Sequence, residues 1–146
     1  MRHPVDRLVS TYHFIQRRYP VYQAYPGAVM NRRVVEEKWS LEKFLFHRYY
    51  RNCYSKFFWC FSLQRFAFIG IVEHYEEELA FLSERILGSS LPVYQENTNP
   101  EKRDSHYGTE PALRRRLEQF HAKDMELYQL ALALRHQRMQ RVELAA

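Results

Sequence analysis

Residues 65–72 read Arg-Phe-Ala-Phe-Ile-Gly-Ile-Val and contain the longest unbroken apolar run of the chain, Phe66 to Val72. A short continuous apolar run is typical of a strand buried on both faces, as in a parallel sheet. A helix is predicted directly after it, ended by Gly88, which is a good helix stop. Strand, turn and helix are half of a β-α-β unit, so this stretch indicates an α/β fold. One face of the predicted helix carries Tyr75, Glu78, Leu79, Leu82 and Ile86, all of them apolar except Glu78.

The rest of the chain is predicted to be helices joined by loops. Pro4 suits the first position of a helix, because its missing N–H costs nothing there. Ser40 is a good N-cap for a second helix, and Pro111 lies near the start of another. The residues from Tyr19 to Met30 include two prolines and a glycine and are predicted to be a loop. One strand cannot build a sheet, so either the fold is helical with an isolated β segment or the chain is incomplete.

Composition favours a globular protein with anionic partners. Of the 146 residues, 46% are apolar and 27% are charged, which argues against a disordered chain. The net charge is +5, and residues 1–70 alone carry 12 basic against 4 acidic residues, a net of +8. Most of the cations are arginines, which favour two-pronged contacts with phosphate, sulfate or carboxylate. No run is long enough for a membrane span or a signal peptide, so neither is expected.

The residues that commonly bind metals are few and scattered. Two cysteines, Cys53 and Cys60, are too few for a disulfide framework or a zinc site. The seven histidines show no spacing that places several ligands on one helix face. We therefore predict that the protein uses no metal.

Residues 2–12, Arg-His-Pro-Val-Asp-Arg-Leu-Val-Ser-Thr-Tyr, offer the clearest candidate site for an anion. Arg2 stands just before a predicted helix start, where free backbone N–H groups and the helix dipole favour negative charge. Ser10 lies about two turns along the helix and offers a hydroxyl donor. Arg2 and Ser10 could therefore hold one phosphate group, although a terminal arginine and a polar surface serine are the simpler interpretation.

This segment resembles the 3′-phosphate-binding motif of carbohydrate-type sulfotransferases, with His3 at the position where that family usually has aspartate. Further resemblances follow in the family's order along the chain. They are an Asn-x-x-Ser-Lys segment, a Gly-x-x-Glu strand-turn-helix, an asparagine loop and an Asp-x-x-Leu-Tyr helix. These four motifs lie at residues 52–56, 68–79, 97–99 and 124–128.

The resemblance implies a P-loop NTPase-like α/β fold, here truncated, with residues 1–146 forming a single partial sulfotransferase domain. It implies 3′-phosphoadenosine 5′-phosphosulfate (PAPS) as the donor and transfer of a sulfuryl group to a hydroxyl or amine of a glycan-like acceptor. Arg2 and Ser10 would bind the donor's 3′-phosphate, and Lys102 and Arg103 are weaker candidates near the nucleotide. The family's phosphosulfate loop and usual base precede the first motif, so the isolated chain is expected to be inactive, and no catalytic residue is assigned.

Two other functions remain open at this stage. The basic first half would suit a helical nucleic-acid-binding module, but the basic residues do not share one helix face, so nucleic acid is not the expected partner. A non-catalytic remnant could dock onto another chain, or a missing N-terminal segment could cover the aromatic residues between Tyr54 and Phe61. The expected compartment is the cytoplasm for a bacterial protein, and the Golgi membrane for a eukaryotic one whose full length includes an anchor.

Overall fold

A computed structural model describes residues 1–93 and 110–144 of the chain. The described residues are mostly helical and divide into two compact units. The first unit comprises residues 1–3, 52–93 and 122–144, and the second comprises residues 4–51 and 110–121. The helices are α1 (Pro4–Arg17), α2 (Tyr19–Ala24), α3 (Val29–Glu36), α4 (Leu41–Leu45), α5 (Cys53–Phe57), α6 (Tyr75–Phe81), α7 (Pro111–Phe120) and α8 (Ala122–Glu143).

The predicted α/β fold of the P-loop NTPase type is wrong. No strand and no sheet occur in residues 1–93 and 110–144, and the expected strand from Phe66 to Val72 is mainly an extended segment. Two 3-10 turns border this segment, Leu63–Arg65 before it and Val72–His74 after it. The backbone is extended at Phe66 and at Ile71, as in a strand, but a strand also needs a neighbour.

The extended segment, residues 66–71, gains almost no backbone pairing from the described part of the chain. The Val72 N–H donates to the Met1 carbonyl at 2.7 Å, and the Met1 amino group donates to the Gly70 carbonyl. Of residues 66–71, only Ile71 is buried, in a core cluster with Tyr128 and Ala131 of α8. Phe68 packs on Phe81 of α6. The apolar run therefore packs against helices and is not buried between two layers.

The second unit is built on α1, which begins at Pro4 as predicted. Val5, Leu8 and Val9 are buried on one face of this helix, at the i, i+3, i+4 spacing of an apolar stripe. Ser40 caps α4 as predicted, because its hydroxyl accepts the Lys43 N–H at 3.1 Å. The core of this unit also includes Ile15, Val34, Trp39, Phe44, Leu45, Tyr50 and Leu117.

The loop predicted between Tyr19 and Met30 is partly helical. Helix α2 covers Tyr19–Ala24, and α3 begins at Val29. Pro20 is the second residue of α2, a position where the absent N–H has no helical partner to lose. The proline therefore marked a helix start and not a break.

The first unit contains the extended segment, α5, α6 and α8. Asp124 of α8 is fully buried and accepts the backbone N–H groups of Tyr54 and Ser55 at 3.0 and 2.9 Å. This carboxylate therefore caps α5, whose own N-cap residue, Asn52, adopts the left-handed conformation and makes no side-chain capping bond. Helix α6 continues into a π-helical turn, Leu82–Leu87, and stops at Gly88 with a φ of 62°, as the glycine predicted.

Candidate functional site

The two residues predicted to bind the 3′-phosphate, Arg2 and Ser10, belong to different units. Arg2 is partly buried in the first unit, where Tyr54 fixes its backbone. The Tyr54 hydroxyl donates to the Arg2 carbonyl at 2.9 Å, and the Arg2 N–H donates to the Tyr54 hydroxyl oxygen at 3.1 Å. Ser10 is partly buried on α1 in the second unit. Their joint binding of one phosphate stays a prediction.

The residue after Arg2 is also held by the first unit. The backbone N–H of His3 donates to Oε1 of Glu73 at 2.7 Å, and the His3 ring contacts Tyr128 edge-on. Arg2 therefore stands in a fixed stretch of backbone immediately before α1. Lys102 and Arg103, the weaker candidates for the nucleotide, lie outside the described residues, as does the asparagine loop at residues 97–99.

The first unit contains a groove of about 500 Å³ between the extended segment, the end of α6 and the last turns of α8. This volume is in the range of small-molecule sites. We call it the arginine–phenylalanine groove. Its lining residues are Leu63, Gln64, Phe66, Ala67, Phe68, Ile69, Phe81, Arg85, Ile86, Leu134, Gln137, Arg138, Arg141 and Val142.

Arg138 is the most constrained cation of this groove. Its guanidinium carbon lies 4.7 Å from the centre of the Phe68 ring and 4.9 Å from that of Phe81. The two rings are nearly parallel, with an interplanar angle of 9°. Both distances are within the range of a cation–π contact, so the rings hold the guanidinium in place. The guanidinium of Arg138 is thus held against the Phe68 and Phe81 rings on the wall of the groove.

Hydrogen bonds occupy two of the three guanidinium nitrogens of Arg138. Nη1 donates to the Ile69 carbonyl at 3.4 Å, and Nη2 donates to the buried carboxylate of Glu78. The third nitrogen, Nε, is buried and finds no acceptor among the described residues. Such a donor normally costs free energy unless water or a ligand supplies the acceptor.

Glu78 balances the buried positive charge beside the groove. It is 5% exposed, and its second oxygen accepts a bond of 2.8 Å from Nε of Arg135, which also pairs with Glu77. Two arginines thus face two glutamates, and each charge in this cluster has a counter-charge. The neutralised cluster explains how α8 can carry arginines toward the body of the unit.

Arg85 and Arg141 give the groove its unbalanced charge. Both are exposed, and neither forms an ion pair with another residue of the described ranges. The described residues that line the groove include three arginines and no acidic side chain. Arginine recognises carboxylate, phosphate and sulfate through paired N–H donors, so the groove attracts anions.

Sequence reasoning missed the groove arginines Arg85, Arg138 and Arg141, although part of the signal was present on α8. Arg135, Arg138 and Arg141 recur every three residues and so lie along one face of α8. Their relation to Phe68 and Phe81 depends on how α8 packs against a distant segment, which helical spacing does not contain.

Three aromatic rings of the segment from Tyr54 to Phe61 are exposed in the first unit. The side chains of Phe57, Trp59 and Phe61 are 81%, 79% and 63% exposed. These rings are therefore not core residues, and their cover by a partner or by a missing segment stays a prediction.

Within residues 1–93 and 110–144, no helix is long and apolar enough to cross a membrane. In the same ranges, no group of three or more histidine, cysteine, aspartate or glutamate side chains could hold a metal ion. Comparison with protein-family models, curated proteins and solved structures finds no match to this chain.

Proposed function

We propose that the chain recognises the 3′-phosphate of PAPS, the donor for sulfuryl transfer to a glycan-like hydroxyl or amine. The support comes from five sulfotransferase-like motifs in order and from the position of Arg2. The proposal takes nothing from the fold, since the expected α/β architecture is absent from the described residues. No side chain is assigned to the transfer step itself.

The observation that carries the proposal is the start of α1 at Pro4, two residues after Arg2. The bonds to Tyr54 and Glu73 fix the backbone of residues 2 and 3, so the arginine is presented from an ordered segment. Ordering a cation before the ligand arrives reduces the entropy lost on binding. A guanidinium and a helix start are both suited to a phosphate dianion.

The proposal is tested by calorimetric titration with adenosine 3′,5′-bisphosphate and, as the matched ligand, adenosine 5′-monophosphate. We expect the bisphosphate to bind more tightly, because only it carries the 3′-phosphate. Replacing Arg2→Ala removes a charge-assisted contact and should weaken binding roughly tenfold or more. Ser10→Ala should cause a smaller loss, since it removes a neutral donor.

Arg48→Ala provides the control, because Arg48 is an exposed arginine of the second unit outside both candidate sites. It should leave the affinity unchanged. Equal affinity for the two nucleotides, or unchanged bisphosphate binding in Arg2→Ala, would contradict the proposal.

A further inference from the structure

We propose that the arginine–phenylalanine groove of the first unit binds a flat aromatic ring that carries a sulfate, phosphate or carboxylate group. This site is separate from the proposed nucleotide contact, because Arg2 is not among the residues that line the groove. The inference therefore does not depend on the sulfotransferase resemblance.

The charges of the groove select the anionic part of the ligand. Arg138 is neutralised by Glu78, so the attraction comes from Arg85 and Arg141, which have no ion-pair partner in the described ranges. They lie on two different elements, the π-helical turn and α8, and both line the same cavity. An anion bound in the groove can therefore be contacted by an arginine from each of its two walls.

The rings of the groove select the flat part of the ligand. Phe66 is 42% exposed, and the parallel rings of Phe68 and Phe81 hold the guanidinium of Arg138 against them. Phenyl rings present flat surfaces, on which another ring packs better than a flexible chain does. The volume of about 500 Å³ is large enough for a substituted aromatic ring.

The polar groups that remain in the groove fit the same kind of ligand. Gln64 and Gln137 add side-chain amides to the lining. An oxyanion or a ring substituent that accepts hydrogen bonds would satisfy such donors. A purely apolar ligand would leave them unsatisfied, which disfavours it.

Titration with 2-naphthyl sulfate, followed by NMR shift changes and calorimetry, tests the inference. Three comparison ligands separate its parts: 2-naphthol keeps the ring without the charge, octyl sulfate keeps the charge without the ring, and inorganic sulfate has no apolar part. We expect 2-naphthyl sulfate to bind at least tenfold more tightly than each of them. Equal affinity for octyl sulfate would overturn the aromatic assignment, and equal affinity for 2-naphthol would overturn the anionic one.

Variants locate the binding. The double replacement Arg85→Gln with Arg141→Gln should weaken 2-naphthyl sulfate binding tenfold or more, and both side chains are exposed enough to be changed without unfolding the unit. Phe66→Leu should reduce the preference for 2-naphthyl sulfate over octyl sulfate. Arg48→Gln, in the second unit, should change nothing. Wild-type affinity in the double variant, or binding that shifts only resonances of Phe57 and Trp59, would overturn the proposal.

Discussion

Arg114 of α7 donates to both carboxylate oxygens of Asp6 of α1, at 3.0 Å and 3.2 Å. Asp6 is 2% exposed, so the pair secures a carboxylate that would otherwise be buried without its charge partner. The hydrogen bonds with Asp6 raise the pKa of the Arg114 guanidinium, which stays charged at every ordinary pH. Helices distant in sequence are thus joined inside the second unit.

Replacing Asp6→Asn should destabilise the second unit. The amide retains one acceptor but loses the charge, so Arg114 keeps a weaker partner and the free energy of unfolding should fall by about 1–3 kcal/mol. Urea unfolding followed by circular dichroism measures the change. Glu118→Gln is the control, since its pair with Arg114 is more exposed and should cost less than about 1 kcal/mol. Equal losses in the two variants would contradict the importance of the buried pair.

Replacing Asp124→Ala should destabilise the first unit through α5. The carboxylate accepts two backbone N–H groups and the Ser55 hydroxyl, so its removal leaves three donors without their acceptor. We expect a loss of about 2 kcal/mol in the free energy of unfolding. Glu126→Gln, at an exposed position of the same helix, should stay within about 0.5 kcal/mol of the wild type. A wild-type unfolding midpoint in Asp124→Ala would exclude the capping role.

Glu37 should titrate far below its usual range. The hydrogen bond from Arg33, at 2.7 Å, and a second from Trp39 lower the pKa of its carboxyl from 4.5 to about 2. Because the folded pKa is the lower one, the stabilisation is complete above about pH 4.5 and is lost as the pH falls toward 2. NMR titration of the Glu37 side-chain carbonyl measures this midpoint.

The matched variants for Glu37 are two neighbouring arginine replacements. Arg33→Gln should raise the pKa of the Glu37 carboxyl toward 4.5, because it removes the main contact. Arg32→Gln should leave the midpoint near 2, since Arg32 donates instead to the Tyr25 carbonyl. A wild-type midpoint close to 4.5 would show that the two hydrogen bonds do not persist in solution.

Gly88→Ala should destabilise the end of the α6 segment for a reason of backbone conformation alone. Gly88 has a φ of 62°, and a Cβ added there meets no atom within 4 Å, so crowding is not involved. The left-handed conformation costs a non-glycine residue about 1 kcal/mol, which should appear as lower stability in urea. Gly88→Asn should cost less, since asparagine tolerates this conformation better. Identical stability of Gly88→Ala and the wild type would refute the expectation.

Three sequence predictions that depend on local backbone effects are correct, and the one that depends on pairing with a distant segment is wrong. Pro4, Ser40 and Gly88 act through their own backbone or the next turn, and all three mark helix ends as predicted. The strand at Phe66 to Val72 required a neighbouring strand, which the run itself does not specify. The same apolar composition serves an extended segment that packs on α8.

The candidate site likewise combines features that can be predicted from local sequence with features that depend on tertiary packing. The basic face of α8 can be found by counting along the helix, and the two exposed arginines are visible as charges. The contact of Arg138 with Phe68 and Phe81 brings together residues that are far apart in the sequence. It depends on the tertiary packing of α8, which local sequence patterns do not specify. The position of Arg2 before a helix could be predicted, whereas the anchoring of its backbone by Tyr54 could not.

The π-helical turn of Leu82–Leu87 has a consequence for how this protein can vary. An i→i+5 turn contains one residue more than an α-helical turn, so every position beyond it is rotated relative to the helix before it. Ile86, expected on the apolar face of α6, is instead exposed at the cavity together with Arg85. Deleting the exposed Glu84 from this turn would restore α-helical phase and turn Arg85 and Ile86 to a different side, which should change what the groove binds.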